Sequence, residues 1–366
     1  ASTDDPDKIR AAFEGLGNAL LNFINTHNEK EALATATIFF KALFASTDDP
    51  DKIRAAFEGL GKALFALSPD QMTKAMPVFI QAIFNAKATD VQLEAAFKGV
   101  SQALLNFIAT NPEKLNPQQL QTVANVFVNA VLNGTSDPVK LTAAFQGMGD
   151  ALIRFTATNI NDLSKVTSVT NIFVKAVFEG TSDPAKLTAA FTGLSNSIFN
   201  YLGNQITPEK LEVAKVMGAN IAQSIINNTR DSVQISAAIG GLTNGALSYF
   251  VQNRYFADRA NAALTVVNAI VSSAVTAALT LGTVWDRTNA INATLKGVSD
   301  SVFAKIDGRA FTADDASQFI GSSAKVAVQA IANSNVEGKS GLVFAVYQGI
   351  FDSANNAIVK GGLTHA

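Results

Sequence analysis

The segment from Ala1 to Gly17, ASTDDPDKIRAAFEGLG, returns letter for letter from Ala45 to Gly61. Weaker copies begin at Ala86 (AKATDVQLEAAFKGVS), Gly134 (GTSDPVKLTAAFQGMG), Gly180 (GTSDPAKLTAAFTGLS) and Asn228 (NTRDSVQISAAIGGLT), with remnants at Trp285 and Lys339. Each copy places a glycine at the same point: Gly15, Gly59, Gly99, Gly147, Gly193, Gly241, Gly297 and Gly349. Their separations are 44, 40, 48, 46, 48, 56 and 52 residues. A period of this size marks an array of supersecondary units, and units of about 40–47 residues are the size of a helix pair.

The local signals agree with helices. In Asp5-Pro6, Asp49-Pro50, Asp137-Pro138 and Asp183-Pro184 an aspartate stands where it can accept from free amides. The proline then takes the first helical position, where no amide hydrogen is needed. Apolar residues follow in steps of three and four, as in Ile9, Phe13, Leu16, Leu20, Phe23 and Leu141, Phe145, Met148, Leu152, Phe155. The repeated glycine lies inside this helix, where it costs up to about 1 kcal/mol against alanine, so its recurrence implies close helix-to-helix approach. Second helices open at Ser68-Pro69, Asn116-Pro117 and Thr207-Pro208, and Pro77 predicts a kink two turns into one of them. No run alternates with period two, so strands are not expected.

The reading is an all-α chain of tandem two-helix repeats of about 40–56 residues, an α-solenoid or closed helical array. It has seven pairs and an unpaired terminal helix from Ser340 to Lys360. Regular Phe-rich units occupy residues 1–227 and longer, divergent units residues 228–366. The change marks either a boundary between two segments or a change of curvature, and with no Pro/Gly/Ser-rich linker between them one continuous domain is the alternative to two. The first copy carries no polar capping unit of the usual kind. The last helix is expected to fold back as a cap, with head-to-tail docking on another copy as the alternative.

Composition narrows the partners. Charge is balanced, 28 Lys+Arg against 30 Asp+Glu, which argues against nucleic acid. Only 16 % of residues are charged, against roughly 25 % in ordinary soluble domains, so Asn, Ser, Thr and Gln must supply much of the polar surface. The uncharged run from Ala260 to Gly282 is long enough to span a bilayer. Its Asn261, Asn268, Ser272 and Ser273, and its place in a second-helix slot, make it a buried helix on this reading, and membrane insertion is not expected.

Nothing carries recognisable catalytic chemistry. The chain has no cysteine, and His27 and His365 belong to no metal-ligand spacing. The acidic pairs Asp4-Asp5, Asp48-Asp49 and Asp314-Asp315 sit at helix starts, where capping accounts for them. Gly240-Gly241 and Gly361-Gly362 lack the flanking pattern of a phosphate loop. The expectation is a protein that is not an enzyme and needs no metal or cofactor.

Three candidate N-glycosylation sites, Asn133, Asn227 and Asn292, head Asn-x-Thr triplets. The first two are expected in loops and the third off the apolar stripe, all accessible if the chain is secreted. Phenylalanines recur in two rows: Phe13, Phe57, Phe97, Phe145 and Phe191, then Phe39, Phe79, Phe127 and Phe173. Helical spacing assigns them to helix–helix interfaces, with an apolar lining for a bound lipid or pigment as the functional alternative. The function expected is that of a secreted, self-assembling structural protein of a matrix, silk-like, foam or adhesive kind. The alternatives are a carrier of a hydrophobic ligand and a protein-binding scaffold.

Overall fold

A computed structural model describes residues 4–110, 117–307 and 309–359. Among them run fifteen α-helices and no strand. The chain divides into two compact units, residues 1–155 with 179–181, and residues 156–178 with 182–366. The change in repeat character at Asn228 falls inside the second unit.

In the first unit the odd helices are α1 (Pro6–Thr26), α3 (Pro50–Phe65), α5 (Asp90–Thr110) and α7 (Pro138–Thr158). The first three each pack on the next of the four. The even helices α2 (Glu29–Ser46), α4 (Pro69–Asn85) and α6 (Pro117–Gly134) stack likewise in a second layer. The second unit repeats the plan. Odd helices α9 (Pro184–Leu202), α11 (Ser232–Asn253), α13 (Val284–Phe303) and α15 (Lys339–Val359) form one layer. Even helices α8 (Leu163–Gly180), α10 (Pro208–Asn228), α12 (Ala257–Leu279) and α14 (Ala313–Asn333) form the other. This is the all-α tandem two-helix array that the period predicts.

The expected caps form. Asp5 Oδ1 accepts from the amides of Asp7 and Lys8, and Asp49 Oδ1 from those of Asp51 and Lys52. Asp137, Asp183 and Asp231 do the same for α7, α9 and α11. Ser68 and Gln71 close a capping box at α4, and Thr312 and Asp315 another at α14. Helix α4 runs unbroken through Pro77. Asn116, Lys360, the Gly361-Gly362 pair and His365 lie outside the described residues.

The repeat glycine sets the spacing of the odd layers. A Cβ built on Gly241 would lie 2.6 Å from the Thr188 carbonyl oxygen, and one on Gly297 2.5 Å from that of Ser236. On Gly59, Gly99, Gly147 and Gly349 it would fall closer still, to the carbonyls of Arg10, Arg54, Glu94 and Asn292. In every case the carbonyl belongs to the residue five before the preceding helix's own glycine, so each step repeats one register. Such backbone-to-backbone approach suits weak Cα–H···O contacts and leaves no room for any side chain. Two residues after the glycine the helices carry Gly17, Gly61, Ser101, Gly149, Ser195, Thr243 and Ser299, all buried. This second small row faces the following helix: Gly17 lies against Leu60 and Ala63, and the Ser195 hydroxyl donates to the Leu242 carbonyl at 2.5 Å.

Between the layers the core is aromatic. In the first unit Phe40 stacks on Phe57 at 5.4 Å and meets Phe79 edge-on at 5.0 Å, while Phe84 packs on Phe97. In the second unit Phe178 meets Phe191, and Phe250, Phe311 and Phe319 form a triangle. The long apolar α12 has the length and hydropathy of a membrane span. Here it packs between α10 and α14, its Asn268 donating to Ser322 at 2.7 Å and its Ser273 to the Ala219 carbonyl at 2.8 Å.

Gly15 has nothing within 4 Å of a built Cβ, whereas Gly59 abuts the backbone of α1. Gly15→Ala is therefore expected to raise stability by up to about 1 kcal/mol through helix propensity. Gly59→Ala should overpack the α1–α3 contact and lower stability by about 1–3 kcal/mol. Urea unfolding of the two variants measures both signs, and two changes of the same sign would remove the packing account.

Candidate functional site

The residues five before, one before and three after each repeat glycine lie four apart, on one stripe of each odd helix. In the first unit this stripe is charged and internally paired. Arg10 Nε lies 3.1 Å from the nearly buried Glu58 carboxylate, which Arg54 also faces. Lys98 binds Asp150 at 2.5 Å, and Gln146 donates to Glu94 at 2.5 Å. A groove of about 430 Å³ runs beside Glu94, between α5 and α7. Burial, reinforced by the Asp150 charge, pushes the Glu94 carboxyl up to about 7, although Lys98 and Gln146 favour its ionised form.

In the second unit the same stripe is mostly neutral. Positions held by Arg10, Arg54 and Glu94 in the first unit become Thr188, Ser236 and Asn292. The position held by Glu14, Glu58, Lys98 and Gln146 becomes Gly240 in α11. The result is an open trough of about 460 Å³ across α9, α11 and α13, lined by no residue of an even helix. Its polar walls are Ser236, Asn244 and Asn292, with Lys296 paired to Asp300 at one side. Ser301 and Thr188 are already engaged, donating to the Gly240 and Ala237 carbonyls.

The sequence candidates take different places. Phe57, Phe97, Phe145, Phe191, Phe79, Phe127 and Phe173 are buried, while Phe13 and Phe39 are half-buried and meet edge-on at 6.5 Å. None of the nine lines either groove. Asn133 and Asn227 are exposed but lie in the last turns of α6 and α10, not in loops, because those helices run one residue past each. Asn292 sits half-buried in mid-helix, and its triplet's Thr294 is fully buried with its hydroxyl on the Ala290 carbonyl. Asn292 is thus less exposed than the other two, although its side chain lines the trough. His27 stacks on the Phe23 ring at the end of α1. Asp5, Asp49 and Asp315 cap helices, and Asp4 pairs with Lys52. Among the described residues no group of three or more His, Cys, Asp or Glu could hold a metal ion.

Sequence reading missed the trough. Its signal is subtractive: a second glycine, Gly240, beside the repeat glycine, and short residues where other copies carry long ones. It missed a second feature too. The outward stripe of α15 carries Phe344, Tyr347, Phe351 and Ile358, each more than half exposed. Phe351 stands in the row that holds only Gly, Ser or Thr in the seven preceding odd helices.

No family model matches the chain, and no curated protein matches it significantly. Among solved structures, an engineered protein is 11 % identical, with a TM-score of 0.25, over 81 % of this chain and 97 % of that one. A circular tandem repeat protein with novel repeat topology and enhanced subunit contact surfaces is 11 % identical, with a TM-score of 0.27, over 97 % of this chain and 92 % of that one. Superpositions at that level bear on neither fold nor function.

The raised Glu94 carboxyl holds its proton better in the folded chain than in the unfolded one. Its contribution to stability is full below its ordinary value of 4.5 and is lost as pH rises through about 7. Wild-type thermal stability should therefore fall between about pH 5 and about pH 8, and Glu94→Gln should flatten that slope. Equal slopes in the two proteins would show that Glu94 does not titrate in this range.

Proposed function

We propose that this chain is a non-catalytic, secreted structural protein that self-associates through the exposed face of α15. The supporting observation is the replacement of the small row by Phe351. Internal odd–odd contacts need Gly, Ser or Thr there, because the next helix lies against that position. A benzyl group blocks addition of another repeat in the same register, so head-to-tail continuation of the array is disfavoured. What the face offers instead is an uncharged aromatic stripe, the residue type enriched at protein interfaces.

The occupant that fits is a second copy in two-fold pairing. With Tyr347 at the centre, an antiparallel α15 partner brings Phe344 of each copy beside Phe351 of the other. Two-fold contacts of this self-complementary kind are the commonest in homo-oligomers. The exposed Asn133 and Asn227 triplets support secretion.

Sedimentation velocity at tens of micromolar is expected to give at least a dimer. Phe351→Ser restores the residue type of the sibling helices, and should leave the helical circular dichroism intact while shifting the protein toward monomer. A wild-type protein that stays monomeric at that concentration would refute the reading.

A further inference from the structure

The trough across α9, α11 and α13 needs a different occupant from the α15 stripe, and its chemistry names one. From its mostly apolar, uncharged lining and its few polar side chains we infer that it holds an extended, uncharged stretch of polypeptide from another chain, gripped by main-chain hydrogen bonds. Three observations converge on this.

The first is the supply of unspent hydrogen-bonding groups. The side chains of Asn244, Asn292 and Ser236 line the trough, and none bonds to another described residue. A carboxamide offers one acceptor and two donors, so it can take a peptide N–H and C=O together. Two such groups on neighbouring helices suit a backbone that repeats the same pair along its length. The second is charge. The only charged side chains of the lining, Lys296 and Asp300, neutralise each other, so the site makes no demand for an ionic ligand. The corresponding stripe of the first unit is filled with charged side chains bonded across the helices, and a backbone could not settle among them.

The third is reach. The register that sets Gly240 against Gly297 and Ser301 leaves Asn292 and Asn244 about eleven residues apart along these parallel helices, a span of about 16 Å. An extended chain rises about 3.3 Å per residue, so about five residues cross it. The floor of Ala237 and Gly240 lets that backbone lie close, and the exposed Val233 supplies an apolar contact at one end. The volume of about 460 Å³ falls in the range of ordinary ligand sites.

The test uses the whole chain labelled with nitrogen-15. The probe is an acetylated and amidated pentapeptide of alternating alanine and serine, with maltopentaose as an uncharged polyol control. The expected result is movement of the Asn244 and Asn292 side-chain amide signals with millimolar peptide and none with the sugar. Ser236→Arg puts into α11 the residue that α1 and α3 carry at that position, and fills the trough. It should weaken binding at least tenfold, as should the double variant Asn244→Ala, Asn292→Ala, which removes the carboxamides without filling the space. Helical circular dichroism is recorded for both variants, and the double variant decides if Ser236→Arg misfolds. The inference is overturned by unmoved signals, by binding that survives both variants, or by a response to the sugar alone. A glycan on Asn292 in protein from its natural source would also overturn it, since the glycan would occupy the trough.

Discussion

Everything regular about this fold depends on one contact, the repeat glycine of an odd helix lying against a main-chain carbonyl of the helix before it. At this separation no side chain fits between the two backbones, and in every described instance the carbonyl sits at the same offset from its own helix's glycine. The contact therefore fixes distance and register at once. With the odd helices so clamped, the even helices are left to fill a space of set width, and phenylalanine fills it. That is why the aromatic pairs run between the layers, as in Phe40 with Phe57 and Phe84 with Phe97.

The same constraint explains where function can lie. Two faces of an odd helix inside either unit are committed, one small row to the preceding helix and one to the following helix, and the apolar stripe is committed to the even layer. Only the stripe five before, one before and three after the glycine is free to vary. The first unit uses it for paired charges, among which Glu94 is buried enough to hold its proton toward neutrality. The second unit empties it and leaves hydroxyls and carboxamides. The terminal helix breaks a different row, the one committed to a following helix, and turns a packing surface into an exposed aromatic one.

Much of this was legible before any coordinates. The period, the Asp-Pro helix starts and the spacing of the apolar residues yield fifteen helices and their order. Those signals are local, and each is read within one helix. The candidate site was less legible. The nine phenylalanines stand out because they are large and repeated, but most are buried in the interior. The trough residues, Ser236, Gly240, Asn244 and Asn292, look unremarkable in sequence, because what distinguishes them is the absence of long side chains on three helices at once.

Sequence alone determined the repeat, the number of helices and the Pro-marked helix starts, since capping, propensity and periodicity act over a few neighbouring residues. The tertiary structure decided which glycine faces which carbonyl, which Asn-x-Thr triplet is exposed, and that Phe351 occupies a row reserved elsewhere for small residues. These follow from helices about fifty residues apart in the chain lying in contact, and no local rule of chain conformation carries information over that separation.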